Sequence, residues 1–429
     1  MKQALIKLLE RTLRSLSVKI IKKYNPTIVG ITGSYGKSSA KEAIYAVVSK
    51  FKKSRTAYGN FNNELGFPLA IIGDFKQVSG KLFWIKVVLT GIKTILLKTD
   101  YPEILVLEYA ADKPGDLDYL INIAKPHISV ISGISKYPVH VEYYASPTEV
   151  VKEKSKLIRC LSENDFAVIN ADDEFTKFLG KETKAVTVSF GFYKSSDVCI
   201  NDFENDIERG VPKGISFKLV SENKILPIKL AGVLGKAQSY AFASAIAVAE
   251  ILGFDIFAAK EALQGFKSLP GRANIIKGIR GSWLIDDTYN ASPAAMFGAI
   301  EALAETKLDR KIAVLGHMAE LGSLADEVHR EVGKSLAEKK IDLLFLVGEK
   351  SYKIAEGAIA AGMDDKKIKK FSNLIEAQKY IPSVAGPKDL ILIKGSQSAR
   401  MEKITYSLMA EPEMARDLLV RQYGRWLSN

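Results

Sequence analysis

The order of apolar and polar positions divides the chain into segments of different period. Leu5, Leu8, Leu9, Leu13, Leu16 and Ile20 recur at helical spacing with lysines and arginines beside them, so residues 1–25 read as a basic amphipathic helix. Such a helix either packs on the domain that follows or lies on a membrane surface; packing is the commoner use, and peripheral membrane contact stays open. It lacks the unbroken apolar run and small-residue cleavage site of a secretory leader. Residues 27–32 are then β-rich, a glycine turn follows, and residues 38–48 return to helical period. A second apolar stretch, 82–97, is interrupted by Lys86 and Lys93 and is too short to span a bilayer. It predicts core or inter-domain packing, with a contribution to a peripheral membrane face as the alternative. Strand-like runs at 104–107, 127–131 and 166–169, with helical patterns between them, predict a mainly parallel sheet covered on both faces.

The texture changes over 185–230, where short runs at 185–189, 214–220 and 224–230 predict an antiparallel patch. An alanine-rich helix over 237–252 ends at Gly253, and a boundary falls near Leu269-Pro270-Gly271-Arg272. Alternation then restarts: strands at 283–286, 311–315, 343–347 and 390–393, helices from Pro293, over 327–339 and from Ser351. The expected architecture is therefore α/β. A phosphate-loop central domain with a mainly parallel sheet spans 26–268, and a smaller Rossmann-like C-terminal domain spans 269–429.

Composition narrows the chemistry. Hydrophobic residues are 47% and charged residues 26% of 429, ordinary for a globular chain, so disorder is excluded. The net charge of +12 suits nucleotides, carboxylated or phosphorylated substrates, anionic lipid or nucleic acid. No nucleic-acid-binding module is recognisable, and nucleic acid is not an expected partner. Cys160 and Cys199 form neither a CxxC pair nor a cluster with histidine, which predicts a reduced, cytoplasmic protein without structural zinc.

Gly33-Ser34-Tyr35-Gly36-Lys37-Ser38 lies between a predicted strand and helix, where backbone N–H groups can converge on phosphates at a helix start. Lys37 would reach the β- and γ-phosphates and the Ser38 hydroxyl would ligate Mg²⁺. The longer GxxxxGK[ST] spacing is not met, because Ile31 stands where its first glycine would be.

Together with Thr32, this loop resembles the TGSxGK[ST] loop of the Mur ligase family, and the resemblance continues in order to about residue 405. Thr56, Asn60, Asn62, Asn63, Gly66 and Pro68 are similar to the family's TxGNxNNxxGxP segment. Glu108 followed by Pro114-Gly115-Asp116, His140-Val141-Glu142, and Asn170-Ala171-Asp172-Asp173 match three further motifs. Lys154 follows His140 at the spacing of the family's modified lysine. Gly271-Arg272, the run from Asp286 to Pro293, Leu315-Gly316 with Glu320-Leu321-Gly322, and Lys394-Gly395-Ser396 complete the match. The residues look closest to the branch that adds D-alanyl-D-alanine to the cell-wall precursor tripeptide.

The resemblance implies ATP-dependent ligation. A peptide carboxylate is phosphorylated, an amino acid or dipeptide amine attacks the acyl phosphate, and phosphate leaves. By the same resemblance Lys37, Glu108, His140 and Lys154 are catalytic, and Gly33, Ser34, Gly36, Ser38 and Ser39 cradle ATP. Ser38, Glu108 and His140 would hold two Mg²⁺ ions, with Lys154 carbamylated to support the metal. A solvated lysine between Lys152 and Lys156 is the plainer use of Lys154. Arg272, Asp286, Asp287, Tyr289 and Asn290 would grip base and ribose, although aspartates and asparagine there also suit a turn or helix cap. Asn62 and Asn63, and Lys394, Ser396 and Arg400, would bind substrate, the last three through the carboxylate of the incoming amine component. The chain is expected to act as a monomer.

Departures from the family pattern concern substrate more than catalysis. The phosphate loop starts at Gly33, leaving no room before it for the family's UDP-sugar-binding domain. Ala237, Gln238 and Ala241 replace a histidine and asparagines, and His317 stands where an aspartate is usual. Two alternatives therefore stand beside the wall-precursor ligase: the same chemistry on another acceptor (an unusual wall peptide, a poly-amino acid or folate), or an ATP-binding scaffold without catalysis.

Overall fold

The computed structural model describes residues 2–59, 61–75, 78 and 80–426. Its first sheet contains β1 (Thr27–Thr32), β2 (Ser54–Thr56), β3 (Ile104–Glu108), β4 (Ile128–Ile131), β5 (Phe166–Asn170), β6 (Val186–Gly191), β7 (Val198–Glu208), β8 (Val211–Ser221) and β9 (Lys224–Ala231). Their order is β2-β3-β1-β4-β5-β6-β7-β8-β9, parallel from β2 to β7 and antiparallel from β7 to β9. Nine helices belong to this half among the described residues: α1 (Lys2–Tyr24), α2 (Lys37–Phe51), α3 (Gly66–Ile72), α4 (Gly80–Leu96), α5 (Asp116–Ile121), α6 (Pro147–Arg159), α7 (Glu174–Gly180), α8 (Ala237–Ile251) and α9 (Ile256–Gln264).

Both faces of the parallel part are apolar because both are covered. Val29, Ile31, Val106 and Val130 pack against α2, α8 and α9, while Ile28, Leu105 and Leu107 pack against α1, α3, α4 and α5. Chain order along this sheet reverses at β1, which lies between β3 and β4. Ligands of open α/β sheets bind at the carboxyl ends of strands at such a reversal, and the glycine turn after β1 occupies that place.

The second half contains β10 (Asn274–Lys277), β11 (Trp283–Asp287), β12 (Arg310–Leu315), β13 (Leu343–Val347), β14 (Ile368–Phe371) and β15 (Asp389–Lys394), ordered β10-β11-β15-β12-β13-β14. Within this second sheet, among the described strands, only β10 runs antiparallel to its neighbour. α10 (Pro293–Glu305), α11 (Ala325–Glu338) and α12 (Lys353–Ala360) cover one face, and α13 (Leu374–Val384) and α14 (Glu402–Leu408) the other.

Two expectations need correction. The run at 185–189 belongs to β6, which pairs in parallel with both β5 and β7, so it extends the parallel sheet. The antiparallel patch instead starts at β7, whose acidic, irregular sequence and broken register between Asn201 and Glu204 hide its period. The stretch 82–97 is a helix only half given to packing: Val87 is buried, whereas Leu82, Ile85, Leu89, Ile92 and Leu96 are exposed. α1 does pack, with Leu13, Leu16 and Ile20 buried in the core beneath β1 and β3. Among the described residues no helix is long and apolar enough to cross a membrane.

If α1 is part of this core, Ile20→Ala should lower the unfolding free energy by about 2–4 kcal/mol in urea titration. Leu8→Ala, on the exposed side, should change it by less than about 0.5 kcal/mol.

Candidate active site

The phosphate loop closes against the β4 side of the sheet. Gly33 has φ 149°, and a Cβ there would collide with Ser132 Oγ, so only glycine lets the Ser34 N–H donate to the Gly133 carbonyl at 2.7 Å. Gly36, at φ 76°, turns the chain into α2. Lys37 Nζ donates back to the Gly33 carbonyl at 2.8 Å, and Ser39 is buried behind the loop. The Ser34 hydroxyl is buried without a partner among the described residues, an orphan polar atom inside a cradle of backbone amides.

At the carboxyl end of β3, Glu108 lies in register with Ile31 and reaches this loop. Its Oε2 accepts from Ser38 Oγ at 3.2 Å and its Oε1 from Asn62 Nδ2 at 3.0 Å. Asn63 accepts from the Gly66 N–H at 2.9 Å at the start of α3. Asn62, Asn63, Asp112, Lys113 and Tyr119 line a cavity of about 110 Å³ beside them. Asn60 lies outside the described residues. A larger cavity, about 800 Å³, is lined by Lys194, Cys199 and Glu250 and shares no residue with the site.

His140 and Lys154 approach from the β4 side. His140 has φ 67°; its Nδ1 is 2.8 Å from Glu320 Oε2, without hydrogen-bond alignment, and its Nε2 is 3.5 Å from Asp112 Oδ1. The His140 contact holds the Glu320 carboxyl below its ordinary range. Among the described residues no group of three His, Cys, Asp or Glu side chains is arranged to hold a metal ion. His140 contacts Asp112 on its own side and, across the gap, Glu320. Asp112 lies between Glu108 and Pro114 in the sequence without a motif position that marks it.

Lys154, in the middle of α6, is buried rather than solvated. Desolvation first, then the Lys37 ammonium, presses its pKa down to about 7, against the pull of Asp112, Glu153 and Glu108. Lys37 is also lowered by desolvation, offset mainly by Glu108. The two lysines therefore share one basic, partly dehydrated space.

Arg272 joins the halves. Its Nη2 lies 3.4 Å from Ser38 Oγ, and its guanidinium stacks 4.1 Å from the centre of the Tyr289 ring. The other expected nucleotide and amine residues are engaged in the fold. Asp286 lies beneath the loop, accepting from Thr288 and Thr405 at 2.9 and 2.8 Å, and burial raises its pKa to about 7. Asp287 pairs with Lys394 at 2.6 Å, and Lys394 also donates to the Asn290 carbonyl at 3.0 Å. Arg400 pairs with Glu402 at 2.6 Å, and Ser396 is 3.1 Å from Ser398. Arg421, unnoticed in the sequence, donates to the Thr288 carbonyl at 3.0 Å and so braces the same loop.

Two family models match: the Mur ligase middle domain over residues 88–249 and the Mur ligase, glutamate ligase domain, over 271–397. The chain belongs to the Mur ligase family. The UDP-N-acetylmuramoyl-tripeptide–D-alanyl-D-alanine ligase of Bacillus subtilis is 28% identical over 401 residues, covering 93% of this chain and 79% of its own. Its Escherichia coli counterpart is 26% identical over 391 residues, 89% of this chain and 76% of its own. Among solved structures, the MurF ligase of Thermotoga maritima in complex with ADP is 28% identical, with a TM-score of 0.76 over 94% of this chain and 84% of that one. A folylpolyglutamate synthase from Mycobacterium tuberculosis shares the fold at 15% identity and a TM-score of 0.63, over 98% of this chain and 99% of that one. This Mur ligase family member thus combines the family's phosphate loop with a buried lysine of depressed pKa.

That lysine makes a pH signature. Its folded pKa, about 7, lies below the unfolded value, so between these pH values the unfolded chain binds more protons and folding stability rises with pH. Below pH 7 both states carry the proton and the penalty of the buried ammonium is complete. Lys154→Met should therefore be more stable than wild type at pH 7 in carbonate-free buffer. The gap should shrink toward pH 10, as read by urea unfolding.

Proposed function

We propose that the chain is an ATP-dependent ligase that joins D-alanyl-D-alanine to a peptidoglycan-precursor peptide through an acyl phosphate. The observation that favours catalysis over mere ATP binding is Lys154, buried beside the phosphate loop with its pKa pressed down to about 7, while the substrates follow the relatives the chain resembles. Binding ATP needs no such group; carbamylation does, because only a neutral amine attacks CO₂. At neutral pH a large fraction of Lys154 is neutral, so its Nζ can add to CO₂, lose a proton and become a carbamate anion. A scaffold that only binds ATP gains nothing from it.

The loop fits a nucleotide: the orphan Ser34 hydroxyl, the glycine-only turns at Gly33 and Gly36, and Lys37 supply donors and positive charge for phosphates. Ser38 and Glu108 offer adjacent hard oxygens for Mg²⁺, which, when bound, would neutralise charge on the transferred phosphoryl group. His140, with Asp112 and Glu320 beside it, and the carbamate of Lys154 would form the second cation site. On this reading Lys37 and Arg272 face the γ-phosphoryl group and lower the cost of its approach to the acceptor carboxylate. Asn62 and Asn63 orient the acceptor at the cavity next to Glu108. The attacking amine forms the new C–N bond, the C–O bond to phosphate breaks, and the amine proton leaves to solvent. Asn290 and Tyr289, with Arg272, hold the nucleoside. Lys394 and Ser396 receive the carboxylate of the dipeptide once Asp287 releases its partner. The enzyme acts as a monomer in the cytoplasm.

The test is ADP release with Mg²⁺-ATP, UDP-muramyl tripeptide and D-alanyl-D-alanine, with the ligated pentapeptide scored by mass. Lys37→Ala should abolish the product, and Glu108→Gln should lower turnover by about 10²-fold or more. ¹³C-bicarbonate should give a carbamate resonance that Lys154→Ala removes, and CO₂-free buffer should slow wild type. Turnover that does not depend on these substrates would overturn the wall-precursor assignment.

A further inference from the structure

α1 and α4 lie side by side and run in the same direction. Leu16 faces Gly91, whose missing side chain lets the helices close, and Lys23 donates to the Thr94 and Ile95 carbonyls at 3.0 and 2.9 Å. Lys23 thus caps the C-terminus of α4 with a cation, while Tyr24 OH bonds the Thr94 carbonyl at 3.0 Å. Packing consumes only one side of α4. On the other side Leu82, Ile85, Leu89, Ile92 and Leu96 follow a three-four spacing that places all five on one stripe, each between 41% and 80% exposed. Leu5 and Leu8 of α1 are exposed at the same end of the pair. Contiguous apolar stripes of this kind mark interaction surfaces rather than ordinary exterior.

Charge selects the occupant. Glu10 is the single acidic residue in the two helices, against seven basic residues in α1 and three lysines in α4. Most of the chain's formal net charge of +12 therefore sits on this pair. A second copy docked stripe to stripe would bring these two cationic surfaces together, which disfavours self-association. An anionic bilayer instead takes the leucines and isoleucines into its acyl boundary while headgroups meet Lys86, Lys93, Lys7 and Arg11. Neither helix can cross the bilayer, so the contact is parallel to its surface.

We propose that α1 and α4 together form a docking surface for an anionic membrane. It does not rest on the ligase reading, since neither nucleotide nor peptide enters its test.

The full chain is sedimented with phosphatidylcholine vesicles containing or lacking phosphatidylglycerol. It should pellet only with the anionic vesicles, less so as salt rises. Ile85→Glu with Leu89→Glu, both exposed and so compatible with folding, should lower the bound fraction about tenfold, and Lys86→Glu with Lys93→Glu should do likewise. Unchanged thermal unfolding would show that each variant is folded. No pelleting of wild type, or equal pelleting of wild type and the Ile85/Leu89 variant, would overturn the proposal. So would a dimer in sedimentation velocity that the same variant dissolves, which would assign the stripe to a second copy.

Discussion

Arg272 is the side chain on which the geometry of the site turns. It follows Gly271 at the junction of the halves, stacks on Tyr289 of the second half and reaches Ser38 of the first. Only a planar, permanently charged group can do both, because the stack fixes the guanidinium plane while its edge donates. Gly271 makes the approach feasible: a Cβ there would strike the Tyr289 N–H. Placed at the phosphate loop, Arg272 brings charge from the second half to the place where the first gathers phosphates. One contact therefore ties the register of the halves to the electrostatics of the cradle. His140 with Glu320 supplies a second link, from Tyr137 through Glu327 a third at 3.1 Å, and Lys236 with Glu301 another at the far side.

This concentration of cations has an electrostatic cost. Lys37, Lys154 and Arg272 crowd a space from which water is partly removed, so the cations oppose one another. Glu108 and Asp112 offset the repulsion without cancelling it. Arginine cannot respond by losing its proton, whereas lysine can. Of the two lysines, Lys154 is the more deeply buried and the one carried down to about 7. Burial first, and the neighbouring Lys37 second, thus weaken the hold of Lys154 on its proton without any dedicated base. Anions at this place would relieve the same repulsion.

Much of the fold was legible because its strongest elements are apolar on both faces. β1, β3, β4, β5, β11, β12, β13 and β15 are short hydrophobic runs between turn residues, and the sequence pattern places each to within about two residues. What escaped were strands whose residues do not alternate: the three-residue β2, the edge strands β10 and β14, and the acidic β7. Edge strands bury little, so their sequences carry little signal. At the site, the loop, Glu108 and Asn62 stand together as their motifs suggest. Lys394, Arg400 and Asp286 are engaged instead by Asp287, Glu402 and Thr405. Sequence order marks which residues gather at a strand end; it does not say which partner each will take. Arg421, distant in the chain from the loop it braces, gave no local signal at all.

The segment between Asn62 and Glu108 links these observations. Asn62 and Asn63 lead into α3, α4 follows, and the chain then enters β3 and delivers Glu108 to the phosphate loop. α1 covers α3 and α4, and its Arg14 lies 5.1 Å over the ring of Tyr119, which lines the small cavity beside Asn62 and Asp112. A single side chain thus separates the basic helix pair from that cavity. Because Leu13, Leu16 and Ile20 are fixed in the same core as Leu105 and Leu107, α1 cannot shift without disturbing the strand that carries Glu108. The outer surface of the helix pair and the inner edge of the site are opposite sides of one packed layer.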